Sequence, residues 1–188
     1  INTWPNPPDT PPEIASLKEN FGNAVHTAFA IDLSAKKVLV TGCGPVGVMA
    51  IAVAKAVGAR TIIATDISDY RLALAQKMGA DVIINAKQDD TVRRIRAATA
   101  GDGVDAWLEM SGAPSAIRQG FNVLEPGGEV AMLGLTSRPL ELDIDNSIIF
   151  KGATIHGIVG RRLWQTWYQM SGLISSGAVD LMPLITHR

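Results

Sequence analysis

With 188 residues, 47% of them hydrophobic, and a net charge of −1, the chain is long enough for one domain with a sizeable core, and it has no cationic excess for nucleic acid or an anionic membrane. Its single cysteine, Cys43, excludes an internal disulfide and a Cys-based zinc cluster, and fits a reducing, cytoplasmic setting. No apolar run reaches the ~20 residues of a membrane span, Ile1 to Pro5 is no signal peptide, and a start on Ile instead of Met is expected of a piece of a longer protein.

Pro5, Pro7, Pro8, Pro11 and Pro12 keep the first residues out of a helix and predict an extended arm, with Trp4 as an anchor on another surface. Two short entry helices are expected next, over 12–19 and 21–30, the second small and apolar enough to pack closely on a sheet. His26 on it reads either as a capped, partly exposed histidine or as a cofactor or substrate contact. The arm and entry helices take residues 1–34, and the main domain takes 35–188.

Val38-Leu-Val-Thr41 is an apolar run suited to a buried parallel strand. Gly42, Gly44 and Gly47 follow in G-x-G-x-x-G spacing, and no breaker interrupts the next residues until Gly58, so a helix is expected there. Strand, glycine turn and helix form the context in which this spacing marks a dinucleotide site. Gly42 makes the tight turn, Gly44 lets a pyrophosphate approach the backbone, and Gly47 lets helix and strand lie close. The free N–H groups and positive dipole end of the helix face the phosphates, and Pro45 near its start loses no bond. Cys43 in this loop reads as a small buried residue or as a thiol activated by the helix N-terminus.

Thr61 to Asp66 is the second strand, and its terminal acid lies roughly 20 residues past the glycines, where a carboxylate accepts hydrogen bonds from the adenosine ribose. That acid disfavours a 2′-phosphate, so NAD is expected over NADP. Arg71, on a helix over 69–78 capped by Ser68, reads as a ribose contact or as a solvated surface arginine. A third strand ends at Asn85. Asp89 or Asp90 starts a helix over 91–99, whose Arg93, Arg94 and Arg96 form a solvated face. The fourth strand is 104–109, followed by a helix ending near Leu124. A Pro126-Gly-Gly128 turn leads into strand five at 129–133, then an irregular stretch, strand six at 153–158 and a last helix over 161–176. Trp164, Trp167, Tyr168 and Leu173 on that helix read as core or subunit contact.

Six strands alternating with helices predict an α/β Rossmann fold: a doubly wound six-stranded parallel sheet in the order 3-2-1-4-5-6, with helices on both faces. Ligand is expected over the carboxyl ends of the strands.

Glu19-Asn-Phe-Gly-Asn-Ala-Val-His-Thr-Ala28, Thr41-Gly-Cys-Gly-Pro-Val-Gly47, Leu108-Glu-Met-Ser-Gly-Ala-Pro114, Ile149-Phe-Lys-Gly152, Thr166-Trp-Tyr168 and Ile185-Thr-His-Arg188 together resemble the zinc-dependent medium-chain dehydrogenases, in their threonine-oxidising branch. The resemblance implies NAD-dependent oxidation of the L-threonine 3-hydroxyl by the full-length enzyme. It places Val46 at the pyrophosphate, Asp66 and Arg71 at the adenosine ribose, Leu133, Gly134 and Leu135 beside the nicotinamide, and Ile158 and Val159 flanking it. Glu19 matches a proton-relay carboxylate near the catalytic zinc. It also implies a homo-oligomer, a tetramer for the full-length enzyme, paired through the last strand.

The family's zinc ligands and substrate contacts lie in a catalytic domain that this chain does not carry, and its closing segment is expected beyond Arg188. His26, His156 and His187 have no ligand spacing, so no metal site is expected in this chain and zinc belongs to the full-length enzyme. The chain alone is then expected to hold NAD without turnover. A cofactor domain of a polyol dehydrogenase and a non-catalytic nucleotide-binding module remain alternatives.

Overall fold

The structure is a computed structural model describing residues 4–186. The signal-peptide reading at Ile1 to Thr3 and the metal-ligand reading of His187 lie outside the described residues.

Six strands, β1 (Lys37–Thr41), β2 (Thr61–Asp66), β3 (Val82–Asn85), β4 (Val104–Glu109), β5 (Leu124–Met132) and β6 (Thr154–Gly157), form one sheet in the order β3-β2-β1-β4-β5-β6. Every pairing is parallel. This is the expected doubly wound topology. Alternation along the strands builds two cores. Val38, Val40, Ile62 and Ala64 face α1 (Pro12–Ala28), α2 (Pro45–Ala56), α3 (Asp69–Lys77) and α6 (Gln165–Ser175). Leu39, Ile63, Trp107 and Val130 face α4 (Thr91–Ala98) and α5 (Pro114–Val123). Central strands buried on both faces require continuous apolar runs, and β1 is buried along its length. Helix α2 is buried from Gly47 to Ala54 because it lies between the sheet and α1, so its sequence is apolar all round.

Four local expectations are corrected. The two entry helices are one continuous helix, α1. Gly22 does not break it, because its bare Cα serves packing: a Cβ there would lie 2.8 Å from Arg161 Cδ. Ser68 occupies the position before α3, but its side chain makes no capping bond. The Pro126–Gly128 turn is an irregularity within β5, where the register against β4 shifts from Val104↔Leu124 to Ala106↔Glu129. Residues 161–164 precede α6 instead of opening it.

Asp90 does cap α4, accepting from Arg93 N at 3.1 Å. Trp4 finds its surface within the chain. It stacks on Trp164 and Trp167, with ring centroids at 6.0 and 5.7 Å, and meets Tyr168 edge-on at 4.9 Å. The arm is thereby fixed to α6.

Candidate functional site

The sheet order reverses between β1 and β4, and a parallel sheet leaves a crevice beyond the carboxyl ends of its strands at that point. A cavity of about 500 Å3 occupies it, lined among others by Gly42, Gly44, Asp66, Arg71, Lys87 and Gln119. Gly42 and Gly47 each have a steric reason to be glycine, and Gly44 faces open space. Gly42 turns the chain off β1 at φ +88°, where a side chain would be strained, and its N–H donates to Thr65 O at 2.8 Å. A Cβ on Gly47 would lie 1.9 Å from Gly42 O, so only glycine lets α2 start this close to the turn. A Cβ on Gly44 would meet no atom within 4 Å. Its bare backbone therefore faces open space in the cleft, at the N-terminus of α2, where Pro45 occupies the first turn.

Asp66 closes the same cavity from β2. Oδ2 accepts from Cys43 N at 2.7 Å, and Oδ1 accepts from Ile67 N at 2.8 Å and Ser68 N at 2.9 Å. The carboxylate thus fixes the glycine loop to the end of β2, and Oδ2 retains about one acceptor site for a hydroxyl entering the cavity. Arg71 Nη1 is 3.9 Å from Oδ2, with about half of its side chain exposed. A dinucleotide fits this arrangement: a bare main-chain cradle at a helix N-terminus beside a held acid.

The other predicted positions lie along the same edge. Val46 and Gly47 are in the first turn of α2. Leu133 to Leu135 follow β5, held where the Leu133 and Gly134 N–H groups donate to Glu109 O at 2.9 and 3.1 Å. Ile158 follows β6 and donates to Met132 O at 2.9 Å. Ile158 is buried, whereas Leu135 and Val159 project with 92% and 89% exposure. Glu19 is apart from the cavity, paired with Arg161, whose guanidinium also lies 5.2 Å over the Trp167 ring. His26 Nδ1 donates to Gly160 O at 2.9 Å, which fixes the ring on the loop after β6.

Cys43 is inert. It is 1% exposed and its thiol donates to Thr65 O at 3.6 Å. Burial, and then the Asp66 charge, push its pKa up to about 12, the reverse of activation. Among the described residues no group of three or more His, Cys, Asp or Glu side chains is placed to hold a metal ion, so zinc has no fit there. No described helix is long and apolar enough to cross a membrane.

Lys87 and Gln119, which line the cavity, were not singled out from sequence, nor was Arg161, the partner of Glu19 away from the cavity. Lys87 follows the carboxyl end of β3 and Gln119 lies on the helix after β4, so the rule that ligands sit beyond strand ends points to them. Arg161 carries no sequence signal, because its partner Glu19 is remote in the chain.

A doubly wound parallel sheet with a glycine cradle and an acid at the end of its second strand defines a Rossmann-type dinucleotide-binding domain. The chain belongs to the zinc-binding dehydrogenase family, whose model matches residues 45–176. It is similar to L-threonine 3-dehydrogenase of Symbiobacterium thermophilum, at 50% identity over 188 residues, which is 100% of this chain and 54% of that protein. Among solved structures it is similar to alcohol dehydrogenase TADH from Thermus sp. ATN1, with a TM-score of 0.85 and 31% identity over 96% of this chain and 54% of the other. It is also similar to the alcohol dehydrogenase rspB from E. coli CFT073 in complex with NADH, with a TM-score of 0.89 and 25% identity over 98% of this chain and 54% of the other. The chain spans about half the length of the curated relatives it matches.

Proposed function

We propose that this chain is the NAD(H)-binding domain of an L-threonine 3-dehydrogenase. One observation carries the reading: the Asp66 carboxylate, held by three main-chain N–H groups, lines the same cavity as the bare Gly44 backbone. Identity to threonine dehydrogenases along the whole chain supports the substrate branch over the polyol dehydrogenases and over a non-catalytic module. In this reading residues 35–188 form the nucleotide-binding unit and 1–34 its arm and entry segment.

The amides around Val46 and Gly47 bind the pyrophosphate, where hydrogen bonds to a charged oxygen are strongest. Asp66 and Arg71 orient the adenosine ribose. A 2′-phosphate would face the Asp66 charge, so NAD is preferred to NADP. Leu133 to Leu135 run beside the nicotinamide, and Ile158 and Val159 flank it and exclude water. NAD held there would supply the hydride acceptor for oxidation at the threonine carbinol carbon. Glu19, paired with Arg161, is the proton-relay carboxylate. The zinc that would acidify the hydroxyl finds no ligand set among the described residues.

Threonine degradation in the cytoplasm is the setting this reading gives the full-length enzyme. Assembly is supported by β6, an edge strand that pairs with β5 on one side, with Ile155 exposed and with exposed Ile149 and Phe150 just before it. Such an edge favours pairing with a second copy, as a homodimer and then a tetramer.

The test is a fluorescence titration of the chain with NADH, followed by an assay for NADH formation from NAD and L-threonine. The expected result is binding without turnover. A chain that leaves NADH fluorescence unchanged at saturating protein refutes the reading.

A further inference from the structure

Glu109 ends β4 fully buried, at 0% exposure, yet the reaction proposed above gives it no task. Among the described residues no ion pair reaches it. A buried carboxylate without a cation is costly unless hydrogen-bond donors surround it. Here they do. Oε1 accepts from Ser111 N at 3.0 Å, Ser111 Oγ at 2.5 Å, Gly112 N at 3.0 Å and, at 3.4 Å, Thr41 Oγ1. Oε2 accepts from Gly112 N at 3.2 Å. Thr41 Oγ1 in turn accepts from Trp107 Nε1 at 2.9 Å, which joins this network to the core between β4 and α5.

The donors belong to the loops that converge on the cleft. Ser111 lines the cavity and sits against the glycine turn, where a Cβ on Gly42 would lie 2.8 Å from Ser111 Cα. Gly112, at φ +64°, and Gly134 are pressed together, so that a Cβ on Gly112 would meet Leu135 O and one on Gly134 would meet Gly112 N and Glu109 Oε2. The Glu109 main-chain oxygen accepts from Leu133 and Gly134. One residue therefore ties the loop after β4 to the glycine turn on one side and to the Leu133–Leu135 segment on the other.

We propose that Glu109 is a positioning residue for the cofactor: its carboxylate sets the wall of the cleft against which the nicotinamide half of NAD is held. The inference rests on the NAD-binding reading. It predicts an asymmetry, because the adenosine half is held by Asp66 and Arg71 on β2 and α3, which take part in none of this network's hydrogen bonds.

The experiment is calorimetric titration of the chain with NAD and separately with AMP, for the wild type, Glu109→Ala and Glu109→Gln, with thermal unfolding of each. Glu109→Ala is expected to weaken NAD by about tenfold or more and AMP by less than about twofold. Glu109→Gln keeps an acceptor at the Oε1 position and is expected to restore NAD affinity to within about threefold of wild type. Unchanged NAD affinity in Glu109→Ala overturns the proposal, as does an equal loss for NAD and AMP, which marks support of the fold alone. A glutamine variant as weak as the alanine variant also overturns it. Should Glu109→Ala not fold, Ser111→Ala removes only the hydroxyl donor: a smaller loss confined to NAD supports the proposal, and no such loss overturns it. A wild-type chain that binds no NAD overturns the cofactor reading and this inference together; wild-type binding with an indifferent Glu109→Ala overturns the inference alone.

Discussion

Two alanine substitutions three residues apart separate the two reasons for glycine in the cradle. Gly44 has φ −65° and ψ 177°, open to any residue, and a Cβ there meets nothing within 4 Å. Gly44→Ala should therefore leave stability within about 0.5 kcal/mol of wild type. The added methyl instead occupies space that a phosphate oxygen needs to reach the amides. Losing one or two hydrogen bonds to a charged group, at about 1.5–3 kcal/mol each, weakens NAD by at least roughly tenfold and by more than about a hundredfold when both are lost.

Gly47→Ala acts through packing. Its Cβ would lie 1.9 Å from Gly42 O, where a carbon–oxygen contact needs about 3.3 Å, so α2 or the turn must move by roughly 1.4 Å. Overpacking of this kind costs about 1–3 kcal/mol, against about 1 kcal/mol gained from the better helix propensity of alanine. The difference is about 0–2 kcal/mol, toward its upper end because the clash is with a backbone oxygen, a fall in Tm of up to roughly 8 °C for a chain of this size. Calorimetry gives the affinities and scanning calorimetry the Tm. Undiminished NAD affinity in Gly44→Ala, or a Tm loss as large as that of Gly47→Ala, would refute the reasoning.

Asp66→Ala should lower NAD affinity far more than NADP affinity, and also lower stability, because three main-chain N–H groups lose their acceptor at about 1–3 kcal/mol each where they stay buried; competitive titration and urea unfolding check the two effects. Cys43, with its thiol held near 12, should resist iodoacetamide at pH 8 in the folded chain and react once urea unfolds it; rapid alkylation of the native chain contradicts its burial. For Glu129, burial acts to raise the carboxyl pKa, but the hydrogen bonds and charges of His156 and Lys36 prevail and hold it below 4.5. With the folded value depressed, its contribution is present above the unfolded pKa and is lost as pH falls through the folded value. Glu129→Gln should accordingly flatten the decline in the urea midpoint as pH falls below the ordinary carboxylate range, and an unaltered decline rules this ion cluster out as a source of acid lability.

The parts of the fold that were legible in the sequence are those where one physical demand dominates. Val38 to Thr41 had to be apolar because β1 is covered on both faces, and the spacing of Gly42, Gly44 and Gly47 reports a turn, a bare surface and a close contact in turn. Asp66 was legible because its distance from the glycines is set by the length of one helix and one strand. Residues with two uses misled. A break was expected between residues 19 and 21, yet α1 runs through, and Gly22 within it makes room for Arg161. Ser68 reads as a cap, yet its N–H is taken by Asp66 and its hydroxyl is not needed. The Glu109 network and the Glu19–Arg161 pair were invisible because their partners meet only after the strands assemble. The strand-end rule put Leu133 to Leu135, Ile158 and Val159 at the crevice, but their place at the nicotinamide came from family resemblance, since nothing in their composition distinguishes them from ordinary strand ends.

A main-chain phosphate cradle joined to an acid placed for the ribose should discriminate between dinucleotides, which titration calorimetry of the unmodified chain with NAD and with NADP measures. One site per chain is expected, taking NAD at least about tenfold more tightly than NADP. Equal affinities, or no heat from either dinucleotide, would contradict it.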